Sequence, residues 1–411
     1  MPSNLIRDRT GAAPYVTPFL DALDRMQERR FVGPDRLTER AEALLVSQFG
    51  ASHHRADAAF AHGSTGLLGG HTHYFDGFAL LISLPLGTAV AIRSSEAAES
   101  RLIFEGSSET WTFDGSDAAE ERAPAWVRLV TDTVRRMAPA GSRIEVAVVS
   151  TIPYSCMDAY VAALGVATAR ASQAVFALPL SARQIDAMVR EVVETCLDLP
   201  FGIAYLMTAD EGRPDHFSLV DAGSLERLAL EAPSHETLGW GLVDTGIGPI
   251  DAPAFHRKKK DLADEAVTIL RRKGFPALAS LRDLEHRDLK LALDALSSRY
   301  RPVVRHLVTE NRRVQKLVGA VRRRDWQMFG ALLLMSHASL QKDWGGTNEV
   351  VDLIVRETEA LSLEGMYGAC LTSRGGAAVV VGQPFAVPRC LDQVQASLKA
   401  SFDVDANVML L

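Results

Sequence analysis

Residues 61–78 read AHGSTGLLGGHTHYFDGF. Glycines at 63, 66, 69, 70 and 77 interrupt any period of 2 or 3.6, so the stretch is expected to be a backbone-dominated loop leading into the apolar run 79–92. A loop of this kind builds a site, and the polar side chains it offers include Ser64, His71, His73, Tyr74 and Asp76.

Outward from that stretch, composition sets the bounds. A chain of 411 residues is too long for one small core, which predicts two domains sharing a cleft. Its 47% hydrophobic and 23% charged residues are those expected of a soluble globular protein. No segment approaches the roughly 20 uninterrupted apolar residues of a membrane span, and the opening MPSNLIRDRT lacks the apolar core of a leader. A cytoplasmic protein without membrane association is expected. A net charge of −7 leaves no footprint for nucleic acid, and the basic run 257–260 reads as a solvated helix face. Cys156, Cys196, Cys370 and Cys390 show no metal-ligand spacing, so neither a disulfide framework nor a metal site is expected. The oligomeric state is left open.

Apolar positions Leu37, Ala41, Leu44, Leu45 and Phe49 recur at helical spacing before Gly50, predicting a helix over 36–49. Short β-branched and apolar runs, ALLISLPLGTAVAI, RLIFEG, WTFDG and later IEVAVV, read as strands, with a helix over 125–137 between the last two.

The quoted stretch resembles the signature that opens galactokinases, members of the GHMP small-molecule kinase superfamily, whose consensus is close to APGRVNLIGEHTDYNGG. Gly63, Leu67, Gly69, His71, Thr72, Tyr74 and Gly77 match it. Ser64 stands where the family has arginine, Gly66 where it has asparagine, Gly70 where it has glutamate and His73 where it has aspartate. Leu281–Leu284 (LRDL), residues 305–314 (RHLVTENRRV) and residues 336–340 (SHASL) follow in the family's order and spacing, so the resemblance covers roughly residues 37–411. It implies an α+β, two-domain GHMP kinase fold with a cleft between an N-terminal domain over 37–205 and a C-terminal domain over 206–411, preceded by an extension, 1–36.

The other motifs depart further. The family's phosphate loop, PxGxGLSSSA, uses glycines so that backbone amides can approach phosphates at a helix N-terminus. Here residues 153–160 read PYSCMDAY, with no glycine and several residues fewer, and Tyr154 and Asp158 bring bulk and negative charge where a triphosphate would sit. In the family's GIMDQ the aspartate is the catalytic carboxylate. The matching GIAYL here has Tyr205 at that place, and a phenol with an ordinary pKa near 10 is no resting base. Asp244 falls in LVDTG, which matches the family's CDTG, and Phe255 replaces a tyrosine thought to contact the sugar. Residues 365–377, GMYGACLTSRGGA, resemble the third motif, GxYGARLTGGGFGGC, about two residues short and carrying Arg374.

The resemblance therefore implies a galactokinase-like scaffold without ATP-dependent phosphotransfer. His71, His73, Tyr205 and Asp158 are the candidate proton carriers, and Ser64, Tyr74, Asp76, Tyr154, Cys156, Asp244 and Arg374 the candidate cleft contacts for a sugar-like or polyol ligand. Two function classes stand: an enzyme performing ATP-independent acid/base chemistry, and a non-catalytic binding protein with a sugar-like ligand or a protein partner. A divergent sugar kinase is the third, with ATP and magnesium as its cofactors and the hydroxyls of Thr151, Ser155 and Thr372 near the old site. Otherwise no cofactor is expected. Each candidate also has a plainer reading: His71 as inherited scaffold, His73 and Tyr205 as plugs of a vacated pocket, and Asp158 as a first-turn acid. For Cys156 burial is favoured over an activated thiol, and for Arg374 an exposed loop charge over an anion clamp.

Overall fold

The apolar run after the signature forms a single strand of 17 residues, β2 (Phe78–Ser94), buried along almost its whole length. In the computed structural model the described residues are 33–113, 123–248, 253–372, 374 and 376–411. The expected extension 1–36 lies outside them except for its last four residues.

β2 organises a seven-stranded sheet. β1 (Asp57–Leu68) runs antiparallel along one edge, while β5 (Ile144–Ser150) pairs with the second half of β2 and β6 (His216–Asp221) with its first. β3 (Ser100–Phe104), β4 (Thr110–Phe113) and β7 (Glu226–Glu231) complete the order β4-β3-β5-β2-β6-β7, with β1 on β2. Helix α1 (Pro34–Phe49) lays Leu37, Ala41 and Leu45 on one face, against Ala89, Ala91, Ala147 and Val149. This is the stripe its spacing predicts. The other face carries α2 (Ala125–Met137) and the almost wholly buried α3 (Met157–Val175), followed by α4 (Ala182–Leu197) and α5 (Ile203–Glu211).

One expectation is corrected. Residues 61–68 are not loop but the second half of β1, and only residues 69–77 turn the chain. The strand absorbs its glycines through two register shifts against β2, between His62 and Ser64 and between Gly66 and Leu68. Glycine in a strand marks a bulge or a close approach as often as an end.

The second sheet, β11-β8-β10-β9, is built from β8 (Gly239–Asp244), β9 (Met366–Leu371), β10 (Ala377–Gly382) and β11 (Asn407–Leu410). Alternation along β8 and β10 sorts their side chains by face. Val243, Ala378 and Val380 meet α10 (Glu349–Ala360) and α11 (Ala386–Phe402), whereas Leu242, Val379 and Val381 join the same core as the first sheet. Phe217, Trp240 and Phe329, with ring centroids 5.9–6.1 Å apart, pack where the sheets meet. A separate apolar cluster lies among α6 (Pro253–Arg272), α7 (Leu289–Ala295) and α8 (Arg301–Arg323), with Trp344 just beyond α9 (Trp326–Ser339). The basic run 257–260 lies on α6, where Lys259 covers the rings of Phe255 and Trp344. No helix among the described residues is long and apolar enough to cross a membrane.

Asp186 on α4 is buried with no partner for Oδ1, and burial followed by the charges of Asp210 and Glu211 pushes its pKa up to about 8. A folded-state pKa above the unfolded one means that stability is lost as pH rises from about 4 to about 8. Asp186→Asn is therefore expected to melt above the parent at pH 9 and with it near pH 4. Thermal melts at both pH values check this, and equal melting at pH 9 would refute it.

Candidate functional site

Residues 69–77 connect β1 to β2, and backbone contacts set their shape. Gly69 has φ +81°, and a Cβ there would lie 2.3 Å from the Phe78 carbonyl oxygen, so glycine is required. The Thr72 hydroxyl donates to the same oxygen at 2.7 Å. Helix α8 grips the turn: Glu310 accepts from Gly69 N–H at 3.1 Å and Asn311 from Phe78 N–H at 2.8 Å. Glu310 also accepts from Ser336 and from Arg313, each at 2.7 Å. Burial acts to raise the Glu310 pKa, but Arg313, His306 and Ser336 outweigh it and hold the group below its ordinary value. A fully partnered buried anion thus anchors the turn.

The turn sends its two histidines into different surroundings. His71 lies among rings, with centroids 4.9 Å from Trp344, 6.1 Å from His306 and 5.9 Å from a nearly parallel His256. Burial first, then its neighbours' charges, lower its pKa well below the ordinary value, and its Nε2 has no hydrogen-bond partner among the described residues. His73 has both nitrogens engaged. Its Nδ1 accepts from Ala204 N–H at 3.3 Å, which assigns the proton to Nε2, and Nε2 donates to Gly70 O at 3.1 Å. Burial and the charge of Arg374 bring its pKa down to about 3, so it is neutral at physiological pH. Gly202 makes room for the ring, since a Cβ there would lie 2.0 Å from Nδ1.

Tyr205, in the first turn of α5, is 2% exposed, and its phenol oxygen accepts from Gly66 N–H at 3.0 Å. Its ring centroid is 5.7 Å from that of His73. A Cβ at Gly66 would lie 2.8 Å from the phenol oxygen, which ties the glycine at 66 to the tyrosine at 205.

Asp158, in the first turn of α3, and Arg374, between β9 and β10, are each 1% exposed and face each other with Nε 3.3 Å from the carboxylate. The exposed loop charge favoured for Arg374 is thereby corrected: a guanidinium is carried inside because the fold sets a carboxylate beside it. Its Cζ lies 5.8 Å from the Tyr74 ring centroid and 5.6 Å from that of Phe201, and its Nη1 and Nη2 have no hydrogen-bond partner among the described residues.

The remaining candidates are spread around this centre. Ser155 donates to Asp244 at 2.5 Å, linking the segment before α3 to the end of β8. Tyr154 packs edge-on to Trp126 and Tyr160, and Cys156 is buried at the start of α3. Ser64 is buried in β1 with no partner for its hydroxyl. Tyr74 and Asp76 line a cavity of about 270 Å³ with Lys260, Asp264, Arg271 and Ser280. Among the described residues, the group whose ligand atoms converge as for a metal is His53, His54 and Glu96, outside this cluster.

No glycine opens the turn before α3, and the three hydroxyls nearby are committed within the protein: Ser155 to Asp244, Thr151 to Gly87 O at 3.3 Å and Thr372 to Ala377 O at 3.1 Å. Sequence reading missed His256, His306, Trp344 and Phe201. Glu310, Asn311 and His306 had a signal in the segment 305–314, whereas His256 and Trp344 are brought in by packing alone.

Residues 45–94 match the galactokinase galactose-binding signature. The chain is 29% identical over 318 residues to the galactokinase of Roseiflexus sp. (strain RS-1), covering 77% of this chain and 80% of that protein. It is 26% identical over 352 residues to that of Thermotoga maritima, covering 84% and 95%. The chain is similar to galactokinases over most of its length. Its fold is the two-domain GHMP architecture: Lactococcus lactis galactokinase, solved with galactose, superposes with a TM-score of 0.79 at 18% identity over 91% of this chain and 97% of that one. Methanococcus jannaschii mevalonate kinase gives 0.54 at 13% identity over 87% and 98%.

Proposed function

We propose that this galactokinase-family protein binds a sugar-like small molecule in the old substrate cleft and does not transfer phosphate from ATP. The observation that carries the reading is Tyr205. At the position matched to the catalytic carboxylate, a buried phenol accepts a backbone hydrogen bond and leaves no base. The Arg374–Asp158 pair supports it by joining the two segments that correspond to the phosphate loop and the third motif. The galactose-bound relative favours a sugar as the ligand class.

Thermal-shift titration tests this. Millimolar Mg-ATP is expected to leave the melting temperature unchanged, while a binding sugar at 100 times its Kd adds about 2.7 kcal/mol. Stabilisation by Mg-ATP together with ADP formation would sink the proposal. The acid/base reading is favoured by one feature, the unpartnered Nε2 of a neutral His71. Incubating the bound compound with the protein separates the two readings, because consumption of the compound requires the enzyme.

A further inference from the structure

We infer that the ligand of this cleft is an anionic sugar, a polyhydroxylated compound whose oxyanion is taken by the two terminal nitrogens of Arg374. The inference rests on the sugar-binding reading above and adds the charge of the ligand to it.

A guanidinium presents its donors in a planar fork, and burying it with donors unmet is costly. In Arg374 the Nε side is satisfied by Asp158, while Nη1 and Nη2 are both buried and have no hydrogen-bond partner among the described residues. The neighbours in hand do not meet them. Tyr74 and Phe201 present ring faces, which interact with the cation but accept no directed hydrogen bond of carboxylate strength. His71, His73 and His256 are kept neutral first by burial, with the arginine's charge acting in the same direction. Two parallel N–H groups at the end of an arginine match a carboxylate or a phosphate edge. Ser64, where the family signature has an arginine, offers no such group, so the cleft's cation comes instead from the β9–β10 turn. The guanidinium is 1% exposed, so binding requires the surrounding elements to open before a ligand reaches it.

The test uses the full chain and isothermal titration with galactose, glucose and mannose, their uronates, the methyl esters of those uronates, the sugar 1-phosphates and inorganic phosphate. A uronate or a sugar 1-phosphate is expected to bind about 10- to 100-fold more tightly than its neutral parent. Esterification is expected to abolish that advantage, and Arg374→Gln to remove the difference between acid and ester. Preference between the uronate and phosphate arms identifies which oxyanion the fork takes. If acid, ester and neutral sugar bind alike, the anion inference fails and sugar binding stands. Inorganic phosphate binding as tightly as the sugar phosphates would also overturn the inference, since the site would then hold a bare anion. If no sugar binds in any form, the sugar-binding reading itself fails. Should Arg374→Gln not fold, the acid-against-ester comparison on the unaltered protein still decides.

Discussion

Tyr205→Asp, which puts back the residue type found in the family's motif, is expected to show no turnover of galactose with Mg-ATP and to lose about 3–5 kcal/mol of stability. The stability loss has two sources. Removing a ring that is 2% exposed and packed beside Phe201 and His73 leaves a cavity, and Gly66 N–H loses its acceptor. The absence of turnover follows from the chemistry of phosphoryl transfer, which depends on positioning and charge stabilisation rather than on one base. A carboxylate at 205 would still face a short segment before α3 without glycine, hydroxyls bonded to Asp244, Gly87 and Ala377, and no arginine at 64. Urea melts and a coupled ADP assay check both halves. Measurable ADP release dependent on galactose would mean that the nucleotide site is intact.

Asp158→Ala is expected to cost about 3–5 kcal/mol, because it leaves the Arg374 cation buried without its counter-carboxylate. Replacing both partners by apolar residues of similar volume, Asp158→Leu with Arg374→Met, is expected to recover most of that loss. The reason is asymmetric: ion pairing at this depth roughly repays desolvation, whereas half a pair repays nothing. A double-mutant cycle by urea denaturation measures the coupling. If the double variant is as unstable as Asp158→Ala, the pair itself is a net source of stability and the asymmetry argument fails. If the double variant is stable but no longer discriminates uronates from their esters, the pair is retained for binding rather than for folding.

Periodicity made much of the fold legible. The stripe of α1, the buried run of β2 and the strand IEVAVV are local patterns, and each formed the element its spacing predicts. The spaced motifs of the two halves marked the likeness to galactokinases. The extent of β1 was not legible, because glycines that interrupt a one-dimensional pattern are accommodated in the sheet by register shifts against β2.

The amino-acid sequence by itself determined the likeness to galactokinases and the order of many of the strands and helices. Only the tertiary structure decided which side chains meet. Gly66 with Tyr205, His73 with Gly202 and Ala204, and Asp158 with Arg374 are partners 129 to 216 residues apart along the chain, so no local spacing reports them. The physical reason is that a buried polar group is tolerated only with its partner beside it, and that partner is supplied by the packing of distant elements.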